Sequence, residues 1–442
     1  MNELILKYNK QIPRYTSFPT VPEWKKNLSH EQWLEELRKE DFTKPVSVYI
    51  HIPFCYKICS FCACNKVLLE NPEYITKYLK ALEKEIAYYK EALGLGKTGL
   101  KKILVSQLHF GGGTPTTVPA SQMERMLTML SQYFEYTPNC EKSLEAHPEF
   151  TTKEQISALA SHNFTRISFG IQDFTHKVQK AIGRVQSYEK ITEIVKHTRK
   201  VGISQINFDY IYGLPFQNKN CISDMLTKTK ELSPDRIAFY SYANVPWKSV
   251  GQKKLNDGLP TPEAKLEMFL HGKEGFESLG YEAIGMDHFA KKNDPLFQAM
   301  AMGNLHRNFM GYTTKTSNVL LGFGVSSISE TPNAYKQNEK SLLKWQEGQQ
   351  NGMMLIENSH KLSEFEVNLK SIILSVMTQF QAPINLVNEE KLPQMHEMVE
   401  DGLIVIEEEI LKVTQKGRIF LRNIAYLFDS HISQEQKFST SV

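Results

Sequence analysis

The sequence predicts an α/β protein: a parallel sheet curved into an incomplete barrel, with an N-terminal arm before it and a mostly helical, winged-helix-like domain after it. Two observations predict the barrel. From Val46 onward, apolar strand-like runs alternate with amphipathic stretches, and repeated βα units put their strands in parallel with the helices outside. Polar and glycine-rich clusters fall at the carboxyl ends of those strands, where such folds keep their working residues. A third observation sets the last part aside: from about residue 360 the alternation gives way to helices around one short hairpin.

The leader, 1–45, reads as an arm. Pro13-Arg14-Tyr15-Thr16-Ser17-Phe18-Pro19-Thr20 is bounded by prolines and reads as extended, and a short helix starts at Ser29, with Gln32 completing a capping box. Residues 46–52 form the first strand and deliver a cysteine-rich loop. Residues 74–93 are a helix with Ile75, Tyr78, Leu82, Ile86 and Tyr89 on one face. Residues 104–110 are the second strand, which runs into Gly111-Gly112-Gly113-Thr114-Pro115. A helix that aligns Met123, Met126, Leu127 and Leu130 follows. Strands at 143–147, 166–170, 206–212 and 236–243 continue the series, and 281–286 is a seventh at an edge. Thr152 with Gln155, and Thr261 with Pro262, open two of the intervening helices. The stretches 285–290, 305–314 and 322–329 are dense in polar and aromatic residues and read as a pocket wall rather than regular core. Ser363 and Glu366 then cap a helix bearing Leu369, Ile372, Ile373 and Val376. Short strands at 403–406 and 410–413 flank an acidic turn, and Gly417 leads into a last helix. The expected units are 1–45 (arm), 46–290 (partial barrel), 291–358 (pocket wall and connecting segment) and 359–442 (C-terminal helical domain).

A chain of 442 residues, 41% apolar, is too long for one typical domain and can bury large cores. A net charge of +3 points to no nucleic-acid partner, and the acidic turn of the last domain argues against DNA binding. No apolar run reaches the roughly 18 residues of a membrane span. The N-terminus does not read as a secretory signal, and four of six cysteines crowd into one loop, so a reducing cytoplasm is expected. Cys140 and Cys221 read as packing residues.

Cys55-Tyr56-Lys57-Ile58-Cys59-Ser60-Phe61-Cys62 carries the chemistry. Thiolates are soft ligands suited to iron. Three of them hold three irons of a [4Fe–4S] cube and leave the fourth open, whereas electron-transfer clusters use four cysteines. A structural zinc would more often show two CxxC pairs, and no second pair exists. Cys64, two residues past Cys62, is awkwardly placed for simultaneous ligation and reads as an active-site or packed cysteine. CxxxCxxC is the spacing of the radical S-adenosylmethionine (SAM) enzymes, and this stretch resembles theirs. Gly111–Pro115 resembles their GGGTP motif. Glu145, Gln172, Arg184 and Asp209, on successive βα units, are a plausible ring for an amino acid, a ribose and an adenine; each alone is as readily a helix cap or surface ion pair. His51, His288 and His306 are proton carriers or packed histidines.

The resemblance extends further. PRYTSFPT at 13–20, YIHIPFCYKICSFCACNK at 49–66, QLHFGGGTPT at 107–116, GIQDF at 170–174, DYIYGLP at 209–215, GMDHFA at 285–290, HRNFMGYTT at 306–314 and GFGVSSIS at 322–329 resemble the oxygen-independent coproporphyrinogen III oxidase family. That resemblance implies a partial (β/α)6 radical SAM barrel in a monomer. It implies oxidative decarboxylation of two propionates of coproporphyrinogen III to vinyl groups, giving protoporphyrinogen IX in heme biosynthesis, with an unidentified electron donor and acceptor. It implies a [4Fe–4S] cluster on Cys55, Cys59 and Cys62, and two SAM molecules. Tyr49, Gly112, Glu145 and Ile328 would contact one; Phe61, Gly113, Thr114, Gln172, Arg184, Asp209 and Ala243 the other. Arg14 and Tyr15 would reach toward substrate, His51 would be a catalytic residue, and Cys64 matches the family's extra, non-ligating cysteine. Two positions depart: Ala146-His147-Pro148 stands where the family usually has Val-Asp-Pro, and Phe18 where Tyr is commoner. The rival readings are a heme chaperone of the same superfamily, whose members usually lack the CNK extension and the PRYTS arm, and a radical SAM enzyme acting on heme itself.

Overall fold

The computed structural model describes residues 2–94, 101–246 and 249–431; the end of the expected C-terminal unit, beyond 431, lies outside them. Six strands, β1 (Val46–Ile52), β2 (Ile103–Gly112), β3 (Phe134–Ala146), β4 (Arg166–Gln172), β5 (Gln205–Tyr212) and β6 (Arg236–Ser241), lie side by side in chain order, all parallel. Helices cross between successive strands, so the partial (β/α)6 barrel is present as the alternation predicts.

The period of two inside each strand sorts its side chains. In β1, Val46, Val48, Ile50 and Ile52 are buried in the apolar core. Ser47, Tyr49 and His51 point the other way, into the barrel. Register carries this alternation across the sheet: Ser47 stands beside Gln107, Tyr49 beside His109 and His51 beside Gly111. Gln107 stands beside Glu141 and His109 beside Ser143, and Glu145, Ser168, Asn207 and Arg236 continue one row. The barrel interior is therefore a polar ladder. Gln107 Nε2 donates to Glu141 (3.3 Å), Arg166 to the same carboxylate (2.8 Å), and Asn207 Nδ2 to Ser168 Oγ (2.7 Å). Arg166 holds the Glu141 carboxyl down to about 2 against the opposing effect of burial.

Two extensions flank the six strands. On one side β7 (Tyr281–Gly285) and β8 (His288–Lys291) form an antiparallel hairpin, β8 against β6, with β7 outermost as expected. On the other, β9 (Leu320–Phe323) lies parallel to β1, and β10 (Ile328–Thr331), β11 (Ala334–Asn338) and β12 (Ile356–Lys361) follow antiparallel, making twelve strands. Of the stretch 322–329, expected as irregular wall, 322–323 and 328–329 are thus strand, joined by a turn at 324–327. Polar residues of β10 and β11 obscured the strand pattern because they are buried and paired internally. Ser329 Oγ accepts from Gly322 N (2.9 Å), Asn338 Nδ2 donates to Glu85 (2.6 Å), and Lys336 donates to Tyr89 Oη (2.6 Å).

The capping boxes at Ser29, Thr152 and Ser363 all form. The arm begins with an unexpected helix, α1 (Asn2–Tyr8), and is not a free surface segment. Tyr8 donates to Asp401 (2.6 Å), Asn423 to the Tyr8 carbonyl (2.7 Å) and Arg422 Nε to the Pro13 carbonyl (3.0 Å), so the arm is bound to the C-terminal part. There the helix α2 (Glu364–Gln379) packs with a three-stranded sheet of Gln381–Pro383, Ile410–Val413 and Ile404–Glu407. The expected last helix is broken into 3-10, α and 3-10 turns from Gly417 to Phe428. No helix of the described residues is long and apolar enough to cross a membrane.

Arg236 and Asp294 form a buried two-bond ion pair, Nε to both carboxylate oxygens (2.8 and 2.9 Å), and Asp294 also caps the helix Pro295–Ala301. Arg236→Met is expected to cost about 3–5 kcal/mol in urea unfolding by stranding the carboxylate. Adding Asp294→Asn, which keeps the cap, is expected to recover more than half; a double variant no better than the single would show that the cost lies in packing instead.

Candidate active site

β1 ends at Ile52, and residues 53–66 form the loop with the crowded cysteines. The loop is tied from several sides: Ser60 N donates to the Ile182 carbonyl (3.0 Å), Thr114 N to the Phe54 carbonyl (2.8 Å) and Gln252 Nε2 to the Phe61 carbonyl (2.7 Å). Cys55 and Cys59 are buried and Cys62 partly so. Thr114 Oγ1 lies 3.5 Å from Cys55 Sγ, and Arg184 Nη1 lies 3.6 Å from Cys59 Sγ. Lys66 Nζ donates to the carbonyls of Cys62 (2.8 Å) and Cys64 (3.2 Å). Burial pushes the Cys55 thiol up. A hydrogen bond from Cys64 draws Cys62 down, and Lys66 and Arg184 add positive charge. Among the described residues no three His, Cys, Asp or Glu side chains meet at one point, as a single ion requires. In a [4Fe–4S] cube each thiolate binds its own iron, so three separate thiols beside two cations fit that group.

The glycine loop after β2 abuts this one. A Cβ on Gly113 would fall 2.5 Å from the Pro53 carbonyl oxygen, so only glycine lets the two backbones touch. Gly112 has φ +119°, a Cβ there would meet the His51 ring at 2.6 Å, and its N–H donates to Glu145 Oε2 (3.2 Å). Next to them lies a cavity of about 620 Å³, lined by Tyr49, His51, Cys64, Asn65, His109, Gly112 and Glu145 and bounded by Phe309, Met310 and Ile328. Tyr49 Oη donates to His51 Nδ1 (3.1 Å) and His51 Nε2 donates to the Asn65 carbonyl (2.9 Å), which sets the tautomer. Burial holds that ring neutral, its pKa lowered to about 4. Burial alone would raise the Glu145 carboxyl, but His109, the Gly112 N–H and His51 together hold it below the usual range.

Tyr49, Gly112, Glu145 and Ile328 are thus brought together in one space with Cys64 and His51. Phe61, Gly113, Thr114, Gln172, Arg184, Asp209 and Ala243 do not line it. Phe61 lies in the cysteine loop, Thr114 and Arg184 touch its thiols, and Gln172, Asp209 and Ala243 stand on or just past β4, β5 and β6. Asp209 accepts from Ser168 (2.7 Å) and Asn207 (2.8 Å), and burial pushes its carboxyl up to about 6. Arg14 pairs with Asp287 and lies over the Tyr240 ring at 5.5 Å. Tyr15, by contrast, turns its hydroxyl to Asp429 (2.9 Å), so its polar end serves the joint between arm and C-terminal part.

The model of the radical SAM superfamily matches residues 49–228. The oxygen-independent coproporphyrinogen III oxidase of Synechocystis sp. is 37% identical over 460 aligned residues, covering 100% of this chain and 97% of its own. That of Escherichia coli K12 is 36% identical, covering 99% and 97%. The chain belongs to the oxygen-independent coproporphyrinogen III oxidase family. The solved coproporphyrinogen III oxidase of Escherichia coli, described as a radical SAM enzyme, superposes with a TM-score of 0.89 over 97% of this chain and 99% of that one, at 33% identity. Membership in the radical SAM superfamily brings a [4Fe–4S] cluster and SAM to the site.

The two departures from the family pattern have local explanations. His147 caps the turn Pro148–Phe150, its Nδ1 accepting from Glu149 N (3.3 Å), which is what an aspartate there would do. Phe18 is buried edge-on against His431 at 5.2 Å, and its carbonyl accepts from Tyr335 Oη (3.1 Å). Phe309, Met310, Ser326 and Ser327 line the cavity from the two stretches expected as pocket wall, and Asn65 from the extension after the cysteines, whereas sequence reasoning did not single out His109, Gln337 or Lys340, which also line it. His109 had a signal: with Gln107 it is a polar residue at every second place of an apolar strand, the mark of an inward barrel face.

Burial, and then Arg184, hold His147 neutral down to about 2, against 6.5 for the free side chain. Below 6.5 the unfolded state binds the extra proton, so stability is lost as pH falls, by up to about 1.4 kcal/mol per pH unit. His147→Asn, which keeps the cap, is expected to flatten urea-unfolding stability between about pH 5 and 6.5 by that slope; an unaltered slope would mean that His147 takes up its proton in the folded state.

Proposed function

We propose that this chain converts two propionates of coproporphyrinogen III to vinyl groups, forming protoporphyrinogen IX for heme, by radical SAM chemistry. The observation that carries this reading is the cavity of about 620 Å³ beside the three-thiol loop, in which Tyr49, Gly112, Glu145 and Ile328 meet Cys64 and His51. Full-length relationship to the family supports it. Cys55, Cys59 and Cys62 would hold the cluster, and Cys64 would stay off it. When bound, cluster and SAM supply the 5′-deoxyadenosyl radical that takes hydrogen from a propionate β-carbon. Each propionate loses one hydrogen atom, carbon dioxide and one electron, so an external electron donor and an acceptor complete the balance.

The chain's own groups position the reactants. Arg184 and Lys66 offset the negative charge of the thiolates. Gly112 and Glu145 offer a donor and an acceptor to one SAM, with Tyr49 and Ile328 as its walls. Phe61, Gly113, Thr114, Gln172, Arg184, Asp209 and Ala243 form the place for a second. Neutral His51 donates from Nε2 and accepts at Nδ1, which suits proton management beside Cys64. Arg14 faces the substrate side of the barrel, while Tyr15 holds the arm. The enzyme works as a cytoplasmic monomer on this reading; the six free thiols suit a reducing compartment.

Anaerobic incubation of the reconstituted protein with SAM, reductant, an electron acceptor and coproporphyrinogen III is expected to give two successive mass losses of the elements of formic acid. Tight heme binding without decarboxylation would move the reading to the chaperone branch, and a changed heme ring to a heme-modifying enzyme. Cys55→Ser is expected to abolish cluster absorbance and SAM cleavage, and Cys64→Ser to retain the iron. Loss of iron in Cys64→Ser would replace the three-ligand set by a four-ligand one.

A further inference from the structure

Between the arm and the barrel stands a small hairpin, His306–Asn308 paired with Gly311–Thr313. Its turn places Phe309 and Met310 in the wall of the 620 Å³ cavity, and its first strand places Arg307 in the wall of a second cavity of about 310 Å³ beside Tyr15 and Phe18. Arg307 is 8% exposed. Its Nη2 donates to the Arg14 carbonyl (3.4 Å), and its guanidinium lies 4.7 Å from the Tyr312 ring. Nε and Nη1 meet no hydrogen-bond partner, and among the described residues no carboxylate comes within ion-pair distance of this side chain. Two acids lie nearby: Asp287 is taken by Arg14, and Glu330, in the wall of the same cavity, by Lys370 (2.8 Å). His288 is held neutral by burial and by Arg307 and Arg14, and its Nδ1 also lacks a partner; burial also lowers the pKa of His306, which lines the cavity with Arg307. Tyr240 and Tyr312, the remaining polar rings facing this place, are neutral phenols.

A desolvated guanidinium with open donors and no counter-ion is unfavourable unless an anion completes it. Nε and Nη1 lie on different edges of the guanidinium, and each is a charge-assisted donor open to a carboxylate oxygen. We infer that Arg307 is the anchor of a propionate carboxylate of the substrate, with Arg14 beside it adding positive charge. This rests on the reading of the substrate above, a macrocycle with four propionates. Two of these react and two persist, so a fixed carboxylate contact orients the ring and decides which arm meets the radical. Arg307 lines the second cavity and not the one lined by Tyr49, Gly112, Glu145 and Ile328, so its role is substrate placement and not cofactor binding.

The test uses anaerobically reconstituted holoenzyme and coproporphyrin III, the stable fluorescent ring that keeps all four carboxylates, with its tetramethyl ester as the uncharged partner. Wild type is expected to bind the tetracarboxylate more tightly than the ester. Arg307→Met is expected to weaken tetracarboxylate binding by about 30-fold or more and to leave ester binding in place, with Arg307→Lys between. In turnover the same variant is expected to raise the KM for coproporphyrinogen III more than it lowers kcat, with cluster absorbance retained. Equal tetracarboxylate affinity in wild type and Arg307→Met, or a parallel loss of ester binding, would overturn the assignment. If Arg307→Met fails to fold, the wild-type comparison of the two ligands decides: equal affinity overturns it. A wild type that neither binds coproporphyrin III nor decarboxylates the porphyrinogen would instead overturn the substrate reading on which the assignment stands.

Discussion

The interior of this barrel depends on register. Parallel strands with a period of two send every second side chain inward, and in-register pairing lines those side chains up from strand to strand. Because the inward set is polar, each member must be satisfied by its neighbour on the next strand. Ser47, Gln107, Glu141 and Arg166 form such a chain, and Ser168, Asn207 and Asp209 another. A slip of one residue in any strand would turn the ladder outward and bring Val48 or Leu108 into the site. Glu145 is therefore placed by pairing across five strands, and not by the short loop that follows it.

The cysteine loop depends on the same frame. It leaves β1 beside the glycine loop of β2, and the two backbones lie too close for a side chain at Gly113. Thr114 and Arg184 reach its thiols from two other βα units. A ligand set drawn from one loop is thus held by three elements, which is what keeps a low-symmetry cluster site from collapsing when the chain around it is mostly loop. The Tyr78 hydroxyl donates to the His51 carbonyl and accepts from Val325 N, so the helix Glu73–Ala92 links β1 to the turn after β9.

The arm and the C-terminal part act on the open side of the barrel. Arg422 holds the carbonyl of Pro13, and Asp429 takes the Tyr15 hydroxyl. These contacts run from one end of the chain to the other, and the two cavities flank the hairpin between them. The joint between arm and C-terminal part is built from chain segments some 400 residues apart, as in Tyr15 with Asp429, whereas the cysteine loop and the groups that touch its thiols come from the βα units of the barrel.

That difference decides what could be read in advance. The sequence by itself determined the cluster loop, the βα alternation and the capping boxes, and its family motifs singled out Tyr49, Gly112, Glu145 and Ile328, which line one cavity, because each is a local pattern: ligand spacing, period, or a motif at a strand end. It left Ser329, Lys336 and Asn338 looking like an irregular wall, since a buried polar strand shows no apolar alternation until its partners are known. The family resemblance has Tyr15 reaching toward substrate; the tertiary structure adds that it lines the 310 Å³ cavity while its hydroxyl donates to Asp429. Only the tertiary structure decided that Arg307 lies buried with open donors, because the absence of a counter-ion is a property of everything packed around a side chain and of no stretch of sequence.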